Sequence, residues 1–303
     1  MKITTCTLVF LMASSLAFAS GDIATYMSTY RTNEITDVSV ERELLAATNM
    51  QSLLNDLESF YADTLVHVRR KAYFLTYKKA LAEPDKNEMP AINQLVKGCS
   101  DINSTIINQN IDYLKQFPTY AFDLQAKQEL ELLLLQPKYE SFSDIYLVAG
   151  FLGIGYEEMN RLNLNAETSK KFKWILQLAL SRMGNSEALE NILRNANQME
   201  TGDNVVAYLV PHLVYTRQKQ ALDYCVKIIF EQEKNCSPPN AESSKKIECG
   251  YRVMELVAPV IEGFPLETDA MGMIVTDNYT TALEQTRAWL SLNRNFSIIN
   301  DRY

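Results

Sequence analysis

Apolar residues recur every three or four positions along most of this chain, which is the period of an amphipathic helix rather than of a β-strand. In one such run, the apolar residues that share a helical face are Leu44, Leu45, Leu53, Leu57 and Phe60. The pattern predicts helices over residues 40–61, 65–82, 89–97, 104–116, 123–135, 143–152, 157–162, 166–183, 186–197, 204–215, 218–230, 245–261 and 279–292. Pro and Gly residues punctuate the short links between them. Short links force consecutive helices into antiparallel pairs, so the chain is predicted to be all-α.

The two ends of the chain depart from this pattern. Residues 1–19 have the parts of a secretory signal peptide, with Lys2 before an apolar run and Ala17-Phe18-Ala19 before the cleavage point. Residues 20–38 are polar without clear period and are predicted to form an N-terminal tether or cap. Residues 39–303 are predicted to form the helical repeat domain, with an irregular C-terminal cap. Residues 263–278 break the period, and two interpretations stay open: a functional loop, or a simple join to the capping helix.

Helix-pair signatures recur within the predicted helices. In residues 63–75, Asp63 precedes Val68-Arg69, with Ala72 following at a helical offset, and this stretch resembles the second helix of a HEAT repeat. Residues 179–192 look like the related HEAT-like units of phycobilisome lyases, because Gly184 can end one helix and either Asn185 or Ser186 can cap the next. A similar string follows at residues 213–225, and residues 91–101 resemble a further, weaker copy.

The spacing of these strings suits a two-helix repeat. Ala188 and Ala221 occupy the same place in two of them, a step of 33 residues. The resemblance implies antiparallel helix pairs stacked as a HEAT-like α-solenoid, in which the second helix of each pair lines a concave face that binds partners.

The resemblance also implies which side chains of the helix after Asp63 face that surface. Its core stripe would be Val68, Ala72 and Leu75. The candidate partner-binding residues on the open side are His67, Arg70, Lys71, Phe74 and Lys78. Two interpretations stay open for Phe74, as a contact residue among cations or, after a shift of one in register, as a buried one.

Charge narrows the range of partners. Lys and Arg number 29 against 37 Asp and Glu, a net charge of −8, and cleaving the predicted signal peptide removes Lys2 and no acid. Nucleic acid is not expected as a partner, because neutralising phosphates needs clustered cations. Beyond residue 19 no stretch is long and apolar enough to cross a membrane. The expected location is therefore periplasmic, cell-surface or secreted.

Four cysteines remain after the predicted cleavage. Cys236 and Cys249 bracket an irregular stretch, and a disulfide that closes it would stabilise the fold by about 3 kcal/mol. A bridge between Cys225 and Cys249 is the competing pairing. Cys99 and Cys225 are otherwise expected to be buried free thiols. Because there is no C-x-x-C spacing and the two histidines are isolated, neither a metal site nor a cofactor is predicted.

The usual catalytic motifs are absent from the sequence, which has no G-x-S-x-G elbow, Walker loop or H-E-x-x-H helix. The sequence therefore predicts a non-catalytic interaction or scaffold protein whose partner is another protein or a peptide. The alternative is an exported glycan or peptide hydrolase with a carboxylate pair, for which the candidates near turns are Asp123, Asp144, Glu157 and Glu158. A deep acidic cleft with two carboxylates would favour the hydrolase, and a shallow aromatic and charged groove would favour the interaction protein.

Overall fold

The computed structural model describes residues 22–35, 37–82, 88–238, 245–269 and 272–303. Within these ranges the chain forms fifteen α-helices and, apart from three isolated bridges, no β-structure. The predicted all-α class is confirmed. The chain divides between Leu75 and Thr76 into two compact units, and each is described on its own. The predicted signal peptide, residues 1–19, lies outside the described residues.

The first unit contains α1 (Ile23–Asn33), α2 (Val38–Ala47), α3 (Met50–Tyr61) and the first part of α4 (Val66–Ala82). The predicted stripe of α4 is fully buried, with Val68, Ala72 and Leu75 all inaccessible to solvent. Leu53 and Leu57 of α3 are equally buried, so the core of this unit is built from residues at helical spacing on neighbouring helices.

Residues 20–38, predicted as an N-terminal tether or cap without regular period, contain a regular helix, α1, which the sequence did not reveal. The carboxylate of Asp22 accepts a hydrogen bond from the Thr25 backbone N–H at 2.6 Å and caps the helix. Ile23 and Met27, one turn apart, are its buried residues. Two apolar residues in eleven make too weak a stripe to stand out from the polar surroundings.

The single helix predicted over residues 40–61 is also wrong, because the structure divides it into α2 and α3. Thr48 has an extended backbone, and the Asn49 side chain accepts a hydrogen bond from the Ser52 N–H at 2.9 Å. An Asn that caps the following helix ends the run although the apolar period continues across the break.

The second unit contains the end of α4 and the remaining helices. These are α5 (Glu88–Gly98), α6 (Ser104–Leu114), α7 (Leu124–Leu134), α8 (Asp144–Leu152), α9 (Tyr156–Leu164), α10 (Lys170–Arg182), α11 (Ser186–Ala196), α12 (Val210–Thr216), α13 (Lys219–Phe230), α14 (Gly250–Val257) and α15 (Tyr279–Leu292). Helices α10, α12 and α14 each pack on the helix that follows, and α8, α10, α12 and α14 also pack one on the next. Packing both within and between pairs is the arrangement of a solenoid-like fold.

Three of these helices are followed by a residue with a left-handed backbone. Gly153, Gly184 and Arg217 follow α8, α10 and α12, with φ of 70°, 90° and 53°. After Gly184, the Asn185 side chain accepts a hydrogen bond from the Ala188 N–H at 2.9 Å, so Asn185 rather than Ser186 caps the next helix. The same turn geometry therefore recurs along this part of the second unit.

Two predicted helices are shorter or less regular than expected. A π-helical turn, Val205–Leu209, precedes α12. Pro211 lacks the N–H that would bond the Ala207 carbonyl, which favours the wider turn. The helix predicted over 245–261 begins only at Gly250, because Cys249 is held by a disulfide. Among the described helices, none has both the length and the apolar character that a membrane span requires.

Candidate functional site

The predicted α4 face is not an open row of cations, because Lys71 is enclosed. Its ammonium forms an ion pair with Glu41 and lies 5.0 Å from the ring centroid of Phe74, 5.5 Å from that of Tyr30 and 5.7 Å from that of Tyr26. Only 10% of the Lys71 side chain is exposed. A neutralised cation inside three aromatic rings stabilises the packing of α1, α2 and α4 rather than offering a contact.

The other predicted contact residues lie in varied surroundings. Arg70 and Lys78 are exposed, with Lys78 in the second unit, and Phe74 is half-buried. His67 Nδ1 lies 3.6 Å from Glu34 Oε1, and its ring meets Tyr30 edge-on. Partner binding by this face stays a prediction. Lys71, however, is not accessible to a partner.

Three of the four carboxylates considered for hydrolysis have structural partners. Asp123 caps α7 by accepting from the Ala126 N–H at 2.8 Å. Asp144 lies 2.5 Å from Lys115 Nζ, and Glu158 forms a salt bridge with Arg161 at the same distance. Glu157 is exposed in the first turn of α9.

The remaining histidine is also engaged. His212 Nδ1 accepts a hydrogen bond from the Trp174 indole N–H at 3.0 Å, and burial lowers the pKa of this histidine. Among the described residues, no group of three His, Cys, Asp or Glu side chains is arranged to hold a metal ion.

The predicted disulfide is confirmed. Cys236 and Cys249 are bonded, and Cys99 and Cys225 are buried free thiols. Burial raises the pKa of both thiols, that of Cys225 to about 12, so neither is ionised and reactive near neutral pH. The competing bridge between Cys225 and Cys249 does not form.

A groove in the second unit, named here the Arg252 groove, is made of two adjoining cavities that share Arg252 and Glu255. One cavity has a volume of about 410 Å³ and is also lined by Tyr251, Asp277, Asn278, Tyr279 and Thr280. The other has a volume of about 430 Å³ and is also lined by Pro211, Leu256, Pro259, Gly272 and Met273. The π-helical turn contributes Val206 and Ala207 to the second cavity.

Hydrogen bonds fix the charged and aromatic groups of the Arg252 groove. The Tyr279 hydroxyl donates to Glu255 Oε1 at 2.6 Å, and the hydroxyls of Tyr251 and Thr280 lie 3.3 Å apart. Arg252 Nη1 donates to Asp203 Oδ1 at 2.8 Å. These contacts orient the side chains before any partner arrives, which lowers the entropic cost of binding.

Asp203 ties the groove to the disulfide-closed loop. The backbone N–H of Ser237 donates to Asp203 Oδ1 at 2.8 Å, its hydroxyl donates to Oδ2 at 2.7 Å, and Lys246 Nζ lies 3.2 Å from Oδ2. The hydrogen bonds from Ser237, followed by Lys246, lower the pKa of Asp203 to about 2. Arg252 is thus anchored through Asp203 to a loop that the Cys236–Cys249 bond closes.

The segment 263–278 lines both cavities, with residues 270–271 outside the described part. Gly272 has a φ of 79°, and the Met273 N–H donates to Asp269 Oδ1 at 2.9 Å, which fixes the turn. Met273 is 49% exposed and Tyr279 41% exposed. The segment therefore contributes residues to the groove, and a function for this loop stays a prediction.

The Arg252 groove was not predicted from the sequence, although three signals mark residues close to it: the break in helical period at 263–278, the disulfide-closed loop, and Pro211, which disturbs its helix. Each signal marks an irregular segment, and binding sites concentrate on such segments when a rigid scaffold holds them. Comparison with protein-family models, curated proteins and solved structures finds no match to this chain.

Proposed function

We propose that this chain is an exported, non-catalytic interaction protein that contacts a protein or peptide partner through the Arg252 groove. The observation that carries the proposal is the composition of the groove. Exposed Tyr279 and Met273 line the groove together with the charged side chains of Arg252 and Glu255. Tyr, Met and Arg are enriched at protein interfaces, where aromatic side chains supply much of the affinity.

Two observations on the described residues support export. The Cys236–Cys249 disulfide forms in oxidising compartments such as the periplasm or the extracellular space. The described helices include none that could span a membrane, which is compatible with an exported protein. The predicted signal peptide, residues 1–19, completes this part of the proposal.

Affinity capture with three matched proteins tests the proposal. Residues 20–303 of the wild type, a Tyr251→Ala, Tyr279→Ala variant and a Tyr120→Ala control are each exposed to the exported fraction of the native host. Tyr120 is 55% exposed and does not line the groove. A partner identified with the wild type should bind the groove variant about 30-fold more weakly and the control unchanged.

A Phe74→Ala, Arg70→Glu variant tests the α4 face separately in the same assay. If this variant loses the partner and the groove variant retains it, the interaction function stands and its assignment to the Arg252 groove is wrong. If every variant captures what the wild type captures, the partner binds elsewhere and both site assignments are wrong. If the wild type captures nothing, the interaction function itself is overturned.

One observation favours a second candidate function, glycan hydrolysis. Glu255 and Asp277 line the same cavity beside Tyr251 and Tyr279. Two carboxylates flanking a sugar are the minimum for general acid–base cleavage, and tyrosines can stack on sugar rings. Hydrolysis of glycans by the wild type, lost in both Glu255→Gln and Asp277→Asn, would establish this activity in place of the interaction function.

A further inference from the structure

After α15 the chain turns at Arg294 and Asn295 and returns along the second unit, where Ile298 forms an antiparallel bridge with Ile261. Residues 298–303 are named here the C-terminal segment. The Ile299 N–H donates to the Val260 carbonyl at 3.0 Å. The Asp301 carbonyl accepts from the Thr119 N–H at 2.9 Å. The segment is therefore held through its main chain by parts of the fold that are distant in sequence.

Two arginines make most of the remaining contacts with this main chain. Arg182 Nη2 donates to the carbonyls of Asn300 and Arg302, both at 2.9 Å. Arg217 donates from Nε to the Ile299 carbonyl at 3.0 Å and from Nη2 to the Tyr303 oxygen at 2.9 Å. Because carbonyl groups are common to all peptides, these contacts select an extended backbone rather than a particular sequence.

An aromatic anchor completes the site. The Tyr303 ring centroid lies 5.3 Å from that of Tyr215 and 5.8 Å from that of Phe151. Arg182 stacks over Phe151 at 5.4 Å, and Lys115 Nζ lies 5.7 Å from the Tyr303 ring centroid. Main-chain hydrogen bonds combined with one aromatic side chain among rings are the elements of a peptide-binding site.

The two guanidiniums of this site have no acidic side chain as a partner among the described residues. Within the described part of the chain, Arg182 bonds to carbonyl oxygens and contacts the rings of Phe151 and Tyr215, and neither Arg182 nor Arg217 is paired with an Asp or Glu side chain. Burial lowers the pKa of both guanidiniums, and Arg182 lowers that of Arg217 further. Lys115, by contrast, is paired with Asp112 and Asp144. Two poorly hydrated guanidiniums would gain more from a carboxylate than from neutral carbonyls.

The C-terminal segment covers this site without being part of a deep core. Asn300, Asp301 and Arg302 are exposed, and Ile299 and Tyr303 are only half-buried. Releasing these residues would uncover mainly the Tyr303 ring and the two rings that it contacts, so exchange of the segment for another peptide costs less than unpacking a helix.

We propose that Arg182, Arg217, Phe151 and Tyr215 form a peptide-binding site that the chain's own C-terminal segment occupies in cis, and that an extended acidic segment of a partner protein occupies in trans. The site shares no residue with the Arg252 groove, and the proposal does not depend on that groove.

The test uses the full mature chain with the segment weakened by Ile299→Pro and Tyr303→Ala, two changes that leave the four site residues intact. The probe is a labelled peptide of residues 297–303. We expect it to bind this variant at least about tenfold more tightly than the wild type, because the competing segment is loosened. A probe carrying Arg302→Glu should bind more tightly still, with an affinity that falls as salt is added.

Arg217→Gly in the same background should weaken probe binding about tenfold or more, since glycine keeps the left-handed turn and removes the guanidinium. Arg194→Ala, on the exposed surface of α11, is the matched control and should change nothing. The proposal is overturned if the weakened chain is folded, as judged by circular dichroism, and yet binds no probe. It is also overturned if adding Arg217→Gly to the weakened chain leaves probe binding unchanged.

A second measurement covers the case in which the weakened chain does not fold. In the wild type, the acidic probe should accelerate hydrogen exchange at the Ile299 amide, because displacement of the segment breaks its bond to Val260. An exchange rate that saturating probe leaves unchanged overturns the proposal.

Discussion

Gly184 and Arg217 stand at the same point of two successive helix pairs, 33 residues apart, and both have a left-handed backbone. Glycine adopts this conformation without steric cost, whereas an arginine there costs about 1 kcal/mol. The Gly184 turn makes no use of a side chain. Arg217 sends its guanidinium to the carbonyls of Val214 and Ile299 and to the oxygen of Tyr303. A strained residue where glycine would suffice indicates that its side chain has a task, here the anchoring of the C-terminal segment.

The largest expected effect comes from removing that side chain while keeping the strain. We expect Arg217→Ala to lower the free energy of unfolding by about 2–3 kcal/mol, because several charge-assisted hydrogen bonds are lost and their carbonyl partners are left behind. Urea denaturation of the two proteins at neutral pH measures the difference. A loss below about 0.5 kcal/mol would mean that the turn at 217 is as independent of its side chain as the turn at 184.

Arg217→Gly separates the backbone cost from the loss of contacts. It loses the same hydrogen bonds but relieves the left-handed strain, so we expect it to be about 1 kcal/mol more stable than Arg217→Ala. The same denaturation experiment applies. If the glycine and alanine variants are equally stable, the left-handed conformation at this position carries no cost and the comparison fails.

Gly184→Ala is the converse experiment, at the turn that is formed without any side-chain contact of its left-handed residue. No atom lies within 4 Å of a Cβ built on Gly184, so the only cost is conformational, and we expect a loss of about 1 kcal/mol. That loss should equal the difference in free energy of unfolding between Arg217→Gly and Arg217→Ala. Gly153→Ala, also left-handed and also without close neighbours, is the control, and disagreement among the three sites would argue against a shared turn geometry.

Local patterns were enough to predict much of this fold. The period of apolar residues located most helices, and the glycine at 184 followed by two capping candidates, Asn185 and Ser186, predicted the turn and a cap directly after it. Cysteines flanking an irregular stretch predicted the disulfide. Each of these features depends on residues close together in sequence, where spacing reveals which groups meet.

The features that were missed depend on contacts between distant residues. Lys71 looked like an exposed cation on α4, yet Glu41 and Tyr26 on two earlier helices enclose it. Arg217 occupies the place of a turn glycine, and only the return of residues 299–303 to that turn gives its guanidinium partners. A helical period fixes which face of a helix is apolar and leaves open which distant group will meet a given polar side chain.

The smallest expected effect concerns Tyr303, whose ring and main chain meet the Arg217 turn and have no counterpart at Gly184. Burial raises the pKa of its phenol above the ordinary value. In the unfolded chain the phenol ionises near pH 10, at a lower pH than in the folded chain, so the free energy of unfolding falls as pH rises through that range.

Tyr303→Phe removes this group, so its free energy of unfolding should decline less steeply than that of the wild type between about pH 9.5 and 11. Tyr215, also raised in pKa by burial, is present in both proteins and cancels. Tyr120→Phe controls for loss of a phenol elsewhere, and parallel pH profiles for wild type and Tyr303→Phe would show that Tyr303 is not buried against this turn in solution.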